Sequence, residues 1–163
     1  YREAIRINPA CAECYYNLGV AFFQMGRHQE ALPQFETALK LKPDYGSASY
    51  SRGRTLAKLE RPQEALAAFL AALAMPQAPL QRADTHNEAG LLMANSGRWA
   101  EALPHFEQAV RLDPRNKEGR RNLATTLYQL KRPAEAAEQL KTLLTFYPGD
   151  EDARQKLEAL RPR

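Results

Sequence analysis

The sequence is poor in the residues that carry most enzyme chemistry. It holds two cysteines, three histidines and one tryptophan. Two cysteines in 163 residues exclude a disulfide scaffold. His28, His86 and His105 fall in separate stretches, too scattered to form a metal motif. No Gly-rich phosphate loop, H-E-x-x-H or G-x-S-x-G occurs. The longest apolar stretch, Ala65 to Met75, is too short and too alanine-rich to cross a bilayer, so no membrane insertion is expected. No segment alternates apolar and polar residues with the period of a strand. A net charge of +4 is below what marks a nucleic-acid binder, so no nucleic acid is expected as a partner. The chain opens YREAIRINP, with neither an initiator Met nor a charged-then-apolar leader, and reads as a fragment of a longer protein. The compartment is therefore left open, the cytoplasm being favoured.

What is present is repetition. GRHQEALPQFETALKLKP (26–43) returns as GRWAEALPHFEQAVRLDP (97–114), 71 residues later. Units starting at Ala12, Gly46, Ala83 and Lys117 are 34, 37, 34 and 34 residues long. One slot reads Arg27, Arg61, Arg98, Arg132, another Glu30, Glu64, Glu101, Glu135, and the next Ala31, Ala65, Ala102, Ala136. A large apolar slot reads Phe35, Phe69, Phe106, Leu140.

Each half-unit has a helical period. Leu18, Gly19, Phe22 and Met25 share one face, and Ala31, Phe35, Ala38 and Leu39 share another. Gly26 and Gly97 suit a left-handed residue at a helix end. Pro62 and Pro133 suit a first helical turn, and Pro43, Pro114 and Pro148 stop each second helix. Pro33 and Pro104 sit about one turn inside a helix and predict a mild bend. Each unit is thus two amphipathic helices, A and B, joined by a tight turn, and the fold is all-α.

These residues resemble the tetratricopeptide repeat (TPR) family, from Ala12 to Asp150. The resemblance implies a right-handed α-solenoid of antiparallel helix–turn–helix repeats. Residues 1–163 read as one such domain: 1–11 end a preceding repeat, repeats span 12–45, 46–82, 83–116 and 117–150, and 151–163 form a capping helix. RPR then reads as a natural terminus, or close to it. The open N-terminal edge makes self-association a further expectation. The aromatic slot near each unit start departs from the family pattern, holding Tyr15, Ser49, His86 and Arg120, and unit two has Arg52 in its Leu slot. Looser packing is expected there. PQAPLQR (76–82) carries the extra residues of unit two. Either Pro79 opens the next helix A about a turn early, or the loop is longer.

Three motifs raise chemistry. CAEC (Cys11, Cys14) admits a thiol redox switch or half a metal site. Zinc would need two more ligands, and small, adventitious cysteines are the favoured reading. The repeated glutamates suit the first turn of helix B, with Arg three residues earlier as partner. The basic run RLDPRNKEGRRN (111–122) reads as a solvated basic edge, ahead of an acidic-peptide contact or nucleic acid.

The resemblance places helices A along a concave groove that holds peptides. The expected partner-binding residues there are Tyr16, Asn17, Phe23, Tyr50, Arg54, Asn87, Arg121, Asn122 and Tyr128. Tyr16, Phe23 and Tyr50 form an aromatic wall in this reading, with Arg54 and Arg121 meeting acidic groups. The Lys/Asn/Asn/Lys/Arg set of chaperone-binding members is broken by Glu88 and Leu91. Only Asn122 and Lys156 fit it. The expectation is a scaffold without catalytic residues, metal or cofactor, binding a protein or peptide segment. The rivals are a docking arm of a larger enzyme such as a glycosyltransferase, and the thiol switch at Cys11/Cys14.

Overall fold

A computed structural model describes residues 1–160. RPR, and the last part of the expected cap at 151–163, lie outside the described residues. Among those residues the chain forms ten α-helices and no strand. They group into two compact units, Tyr1–Ala78 and the chain from Pro79 onward. The first unit holds α1 (Arg2–Ile7), α2 (Ala12–Gln24), α3 (His28–Leu41), α4 (Gly46–Lys58) and α5 (Pro62–Leu73). The second holds α6 (Pro79–Asn95), α7 (Trp99–Leu112), α8 (Lys117–Gln129), α9 (Pro133–Phe146) and α10 (Glu151–Ala159). Pro79 does open its helix early, so α6 is 17 residues long where α2, α4 and α8 have 13. Pro33 and Pro104 lie inside α3 and α7, which continue through them.

The hairpins α2–α3, α4–α5, α6–α7 and α8–α9 share one turn. The backbone N–H of Arg27, Arg61, Arg98 and Arg132 reaches back to the carbonyl of Phe22, Leu56, Met93 and Leu127 at 2.9–3.0 Å. This closing bond requires a left-handed residue just before the arginine. Gly26 and Gly97 take it without strain (φ 73° and 75°), whereas Glu60 and Lys131 hold φ 57° and 61° with a Cβ. The arginine then donates to the glutamate three residues on, as in Arg98 Nε to Glu101 Oε1 at 2.8 Å. The same pair recurs at Arg27–Glu30, Arg61–Glu64 and Arg132–Glu135.

Helix A meets helix B at one close approach. A Cβ on Gly19 would lie 2.8 Å from the Phe35 ring, one on Gly53 2.7 Å from Phe69, and one on Gly90 3.0 Å from Phe106. The three rings are fully buried, 0–1% exposed. In the last hairpin the corresponding pair is Ala124 and Leu140, packed in one cluster with Leu143 and Ala153. Where the small residue gains a methyl, its partner loses ring volume.

The expected looseness of unit two is not found. Ser49 is buried and donates Oγ–H to the Ala68 carbonyl at 2.9 Å, while Arg52 turns to Glu36 at 3.6 Å. The same slot makes a polar bridge from helix A to helix B in the next two hairpins. His86 Nδ1 lies 3.1 Å from His105 Nδ1. Arg120 donates to Gln139 Oε1 at 2.9 Å. Burial pushes both imidazoles below their ordinary value, His86 to about 4, with His105, Arg82 and Arg111 adding repulsion to a proton there.

This packing can be checked by mutation and by titration. Gly53→Ala should lower stability by ~1–3 kcal/mol despite alanine's better helix propensity, since the Phe69 ring has nowhere to go. In the last hairpin, Leu140→Phe should destabilise and Ala124→Gly should rescue it. A double-mutant cycle in urea should return a coupling of ~1 kcal/mol or more, and additivity would refute the close-approach rule. Lys131→Gly should stabilise by ~1 kcal/mol, or about 2–4 °C in Tm, by removing the left-handed strain. Finally, an unfolded histidine binds protons near pH 6.5. The stability from the depressed His pair is therefore complete above that pH and lost as pH falls toward 4. Tm should drop across that window, and His86→Gln should flatten the drop.

Candidate functional site

Helix α2 enters at Cys11, which caps it: its Sγ accepts from Cys14 N–H at 3.1 Å. The two cysteines are joined to each other by a disulfide, and no free cysteine remains among the described residues. The reading of Cys11 and Cys14 as small, adventitious cysteines is thus corrected. Closely spaced at a helix start, they close a ring across its first turn. Position 45, the matching slot before α4, holds Tyr45, which makes no cap bond. Its ring instead packs on Tyr16, 5.0 Å between centroids, and Tyr16 also meets Phe35 at 5.9 Å. Burial raises the Tyr45 phenol above its ordinary value. Tyr45 was not among the expected site residues. Its absence from the capping residue types at that slot was the available signal.

One helical period along, α2 and α4 build a second cluster in the first unit. The Arg54 guanidinium lies over the Phe23 ring at 5.0 Å and near the Tyr50 ring at 5.8 Å. Phe23 is braced by His28 at 4.9 Å, and Tyr50 by buried Phe69 at 5.8 Å. Such ring–cation contacts hold the long side chain in place. Arg54 remains exposed, and Phe23 and Tyr50 are half-buried. Asn17, also on α2, is half-buried. The structure therefore brings Phe23, Tyr50 and Arg54 together, and sets Tyr16 in a separate aromatic group with Tyr45.

In the second unit, Asn122 Nδ2 donates to Asn87 Oδ1 at 2.9 Å, joining the two A helices α6 and α8. Tyr128, 54% exposed, stands at a pocket of about 270 Å³. Ala124, Leu140, Ala159 and Leu160 make its apolar walls, with Thr125 and Lys156 as polar lining. Lys156 is tied to Asp152 at 2.9 Å.

Arg121 meets acidic groups of its own chain. Its guanidinium donates to both oxygens of Asp150 at 2.7 and 2.6 Å, and also faces Glu118 and Asp152. Its charge is already met within the chain. Asp150, with a side chain 1% exposed, caps α10 through Ala153 N–H at 3.0 Å and takes Lys117 at 3.0 Å. Arg121, the Ala153 amide and Lys117 hold that carboxyl well below the usual carboxylate range. The solvated basic edge is corrected for the same reason. Arg120 is buried, donating to the Pro114 carbonyl and Gln139, and Arg115 and Arg120 lie over Phe146, each at 5.9 Å. Lys117 lies over the Tyr147 ring at 5.5 Å. Most of the run's cations pack against the end of α9 and the start of α10. Their spacing alone carried no sign of the Phe146–Asp150 segment they meet.

The hairpin fold is shared with known proteins. Family models described as tetratricopeptide repeat match residues 16–81 and 93–160, and one described as TPR repeat matches 1–26. No curated protein matches the sequence. Among solved structures, the chain is similar to YrrB, described as a TPR protein with an unusual peptide-binding site. The TM-score is 0.88 at 24% identity, over 98% of this chain and 80% of that one. It is similar to MamA with a TM-score of 0.82 at 18% identity, over 93% and 87%. With PilF of Pseudomonas aeruginosa the TM-score is 0.75 at 23% identity, over 91% and 67%. The three models together run over nearly the whole chain, and the neighbours are TPR solenoids. The chain belongs to the tetratricopeptide repeat family, whose members are protein–protein interaction scaffolds.

Proposed function

We propose that this chain is a non-enzymatic interaction module, holding an extended or helical segment of another protein against the exposed side chains of its A helices. The observation that carries the reading is the Phe23–Tyr50–Arg54 cluster. Rings and an arginine are the side chains that dominate binding hot spots, and here packing fixes them before any partner arrives. The peptide-binding site ascribed to YrrB is consistent with this use of the fold. In the second unit, Asn87, Asn122, Tyr128 and the apolar pocket beside Tyr128 offer a further place for a side chain and a backbone amide.

The reading is tested on an array of short peptides of varied sequence, followed by titration of retained peptides by fluorescence anisotropy. Phe23→Ala with Tyr50→Ala should weaken capture tenfold or more, ~1.4 kcal/mol, with the helical circular dichroism unchanged. Retention of no peptide at all, or affinities indifferent to this double change and to Tyr128→Ala, would overturn it.

A further inference from the structure

The arginines of the first unit are used in different ways. Arg6, Arg27 and Arg61 each donate to a glutamate three residues away, and Arg52 faces Glu36. Arg54 has no carboxylate partner among the described residues; its neighbours are the Phe23 and Tyr50 rings. A ring contact spends none of a guanidinium's N–H donors on a hydrogen-bond acceptor. The five N–H donors lie in the guanidinium plane and point outward from the edges. None of those on Arg54 donates to another described residue, and the side chain is exposed. Lys58 comes one turn later on α4 and is exposed too. Like charges four residues apart on a helix repel, so this stretch of α4 is mildly frustrated until an anion arrives.

From this we infer that the α2–α4 face selects an acidic peptide, with the in-plane edge of Arg54 taking the carboxylate of an internal Asp or Glu. The inference rests on the peptide-binding reading above and names its ligand class. A planar guanidinium fork matches a carboxylate in two parallel hydrogen bonds, and the contacts with Phe23 and Tyr50 hold the side chain in place in advance. The half-buried rings of Phe23 and Tyr50 offer apolar surface beside that carboxylate. A segment carrying one acid among aliphatic or aromatic residues therefore complements the whole cluster. The acid is a side chain within the segment, because a chain-terminal carboxylate sits on the backbone and would keep its neighbours from covering both rings.

The test uses the 163-residue chain and an array of acetylated, C-terminally amidated twelve-residue peptides. Each apolar sequence appears in three versions, with Asp/Glu, Asn/Gln or Lys at one internal position. Acidic versions should bind best, and affinity should fall as salt is raised. Arg54→Ala should cost about tenfold or more on acidic peptides and little on their Asn/Gln versions. Arg54→Lys should recover part of the loss. Arg54→Glu should reverse the preference toward the Lys versions, a gain that misfolding cannot produce. If peptides bind without regard to charge, or the acidic preference survives Arg54→Ala, the inference fails while the peptide-binding reading stands. Peptides that bind only with a free C-terminal carboxylate also overturn it. If no version binds at all, both fail.

Discussion

Everything else in this chain is arranged around one steric fact: in three of the four hairpins a phenylalanine ring of helix B lies against a helix A residue that has no side chain. The Gly19–Phe35 and Gly53–Phe69 approaches leave no room for a Cβ, and at Gly90–Phe106 one would sit tighter than ordinary contact. That contact sets the distance between the two helices. The turn that makes it possible is equally constrained, since the closing bond to the arginine N–H needs a left-handed residue. Glycine supplies this in two hairpins, and Glu60 and Lys131 supply it under strain. The prolines at the first position of α5 and α9 come directly after those two strained turns. With φ already fixed there, the entropy lost on folding is smaller, which offsets part of the strain.

The packing rule is legible in the sequence because it is written four times. The recurring small, aromatic and proline slots mark helices, turns and the Arg–Glu pairs nearly to the residue. What occurs once is less legible. The slot before each helix A shows this. Cys11, Asn116 and Asp150 use it for a cap, Tyr45 for a ring contact, and Arg82 falls inside the lengthened α6. Spacing alone cannot say which of these a residue will do, since each depends on a neighbour from another helix. The disulfide between Cys11 and Cys14 belongs to the same class.

The polar bridge at the start of helix A carries a similar lesson. Ser49, His86 and Arg120 replace one another at a slot that looks, in sequence, like a set of departures from the family's aromatic pattern. In the folded chain each reaches a partner nineteen residues later. Substitution there is paired, not loosened. The basic run before and within α8 misleads for the opposite reason. A run of arginines and lysines suggests a solvated surface only if nothing acidic or aromatic faces it. Here Phe146, Tyr147 and Asp150 do, and they arrive from beyond the run.

That redistribution of charge is also what isolates the candidate site. A guanidinium inside a packed protein finds either a carboxylate, a carbonyl or a ring. The first two consume its donors, whereas the third leaves them available. The hairpin arginines and Arg121 took carboxylates, and Arg120 took a carbonyl and an amide oxygen. Among the described residues Arg54 meets two rings and no carboxylate, whereas Arg2 and Arg115 lie over one ring each. Arg54 is thus held in place by the fold while its hydrogen-bonding capacity is not spent on it. Charge count and sequence spacing treat all of these arginines alike. They differ in what the structure sets beside the guanidinium, a carboxylate or carbonyl that takes its donors or a ring that leaves them available.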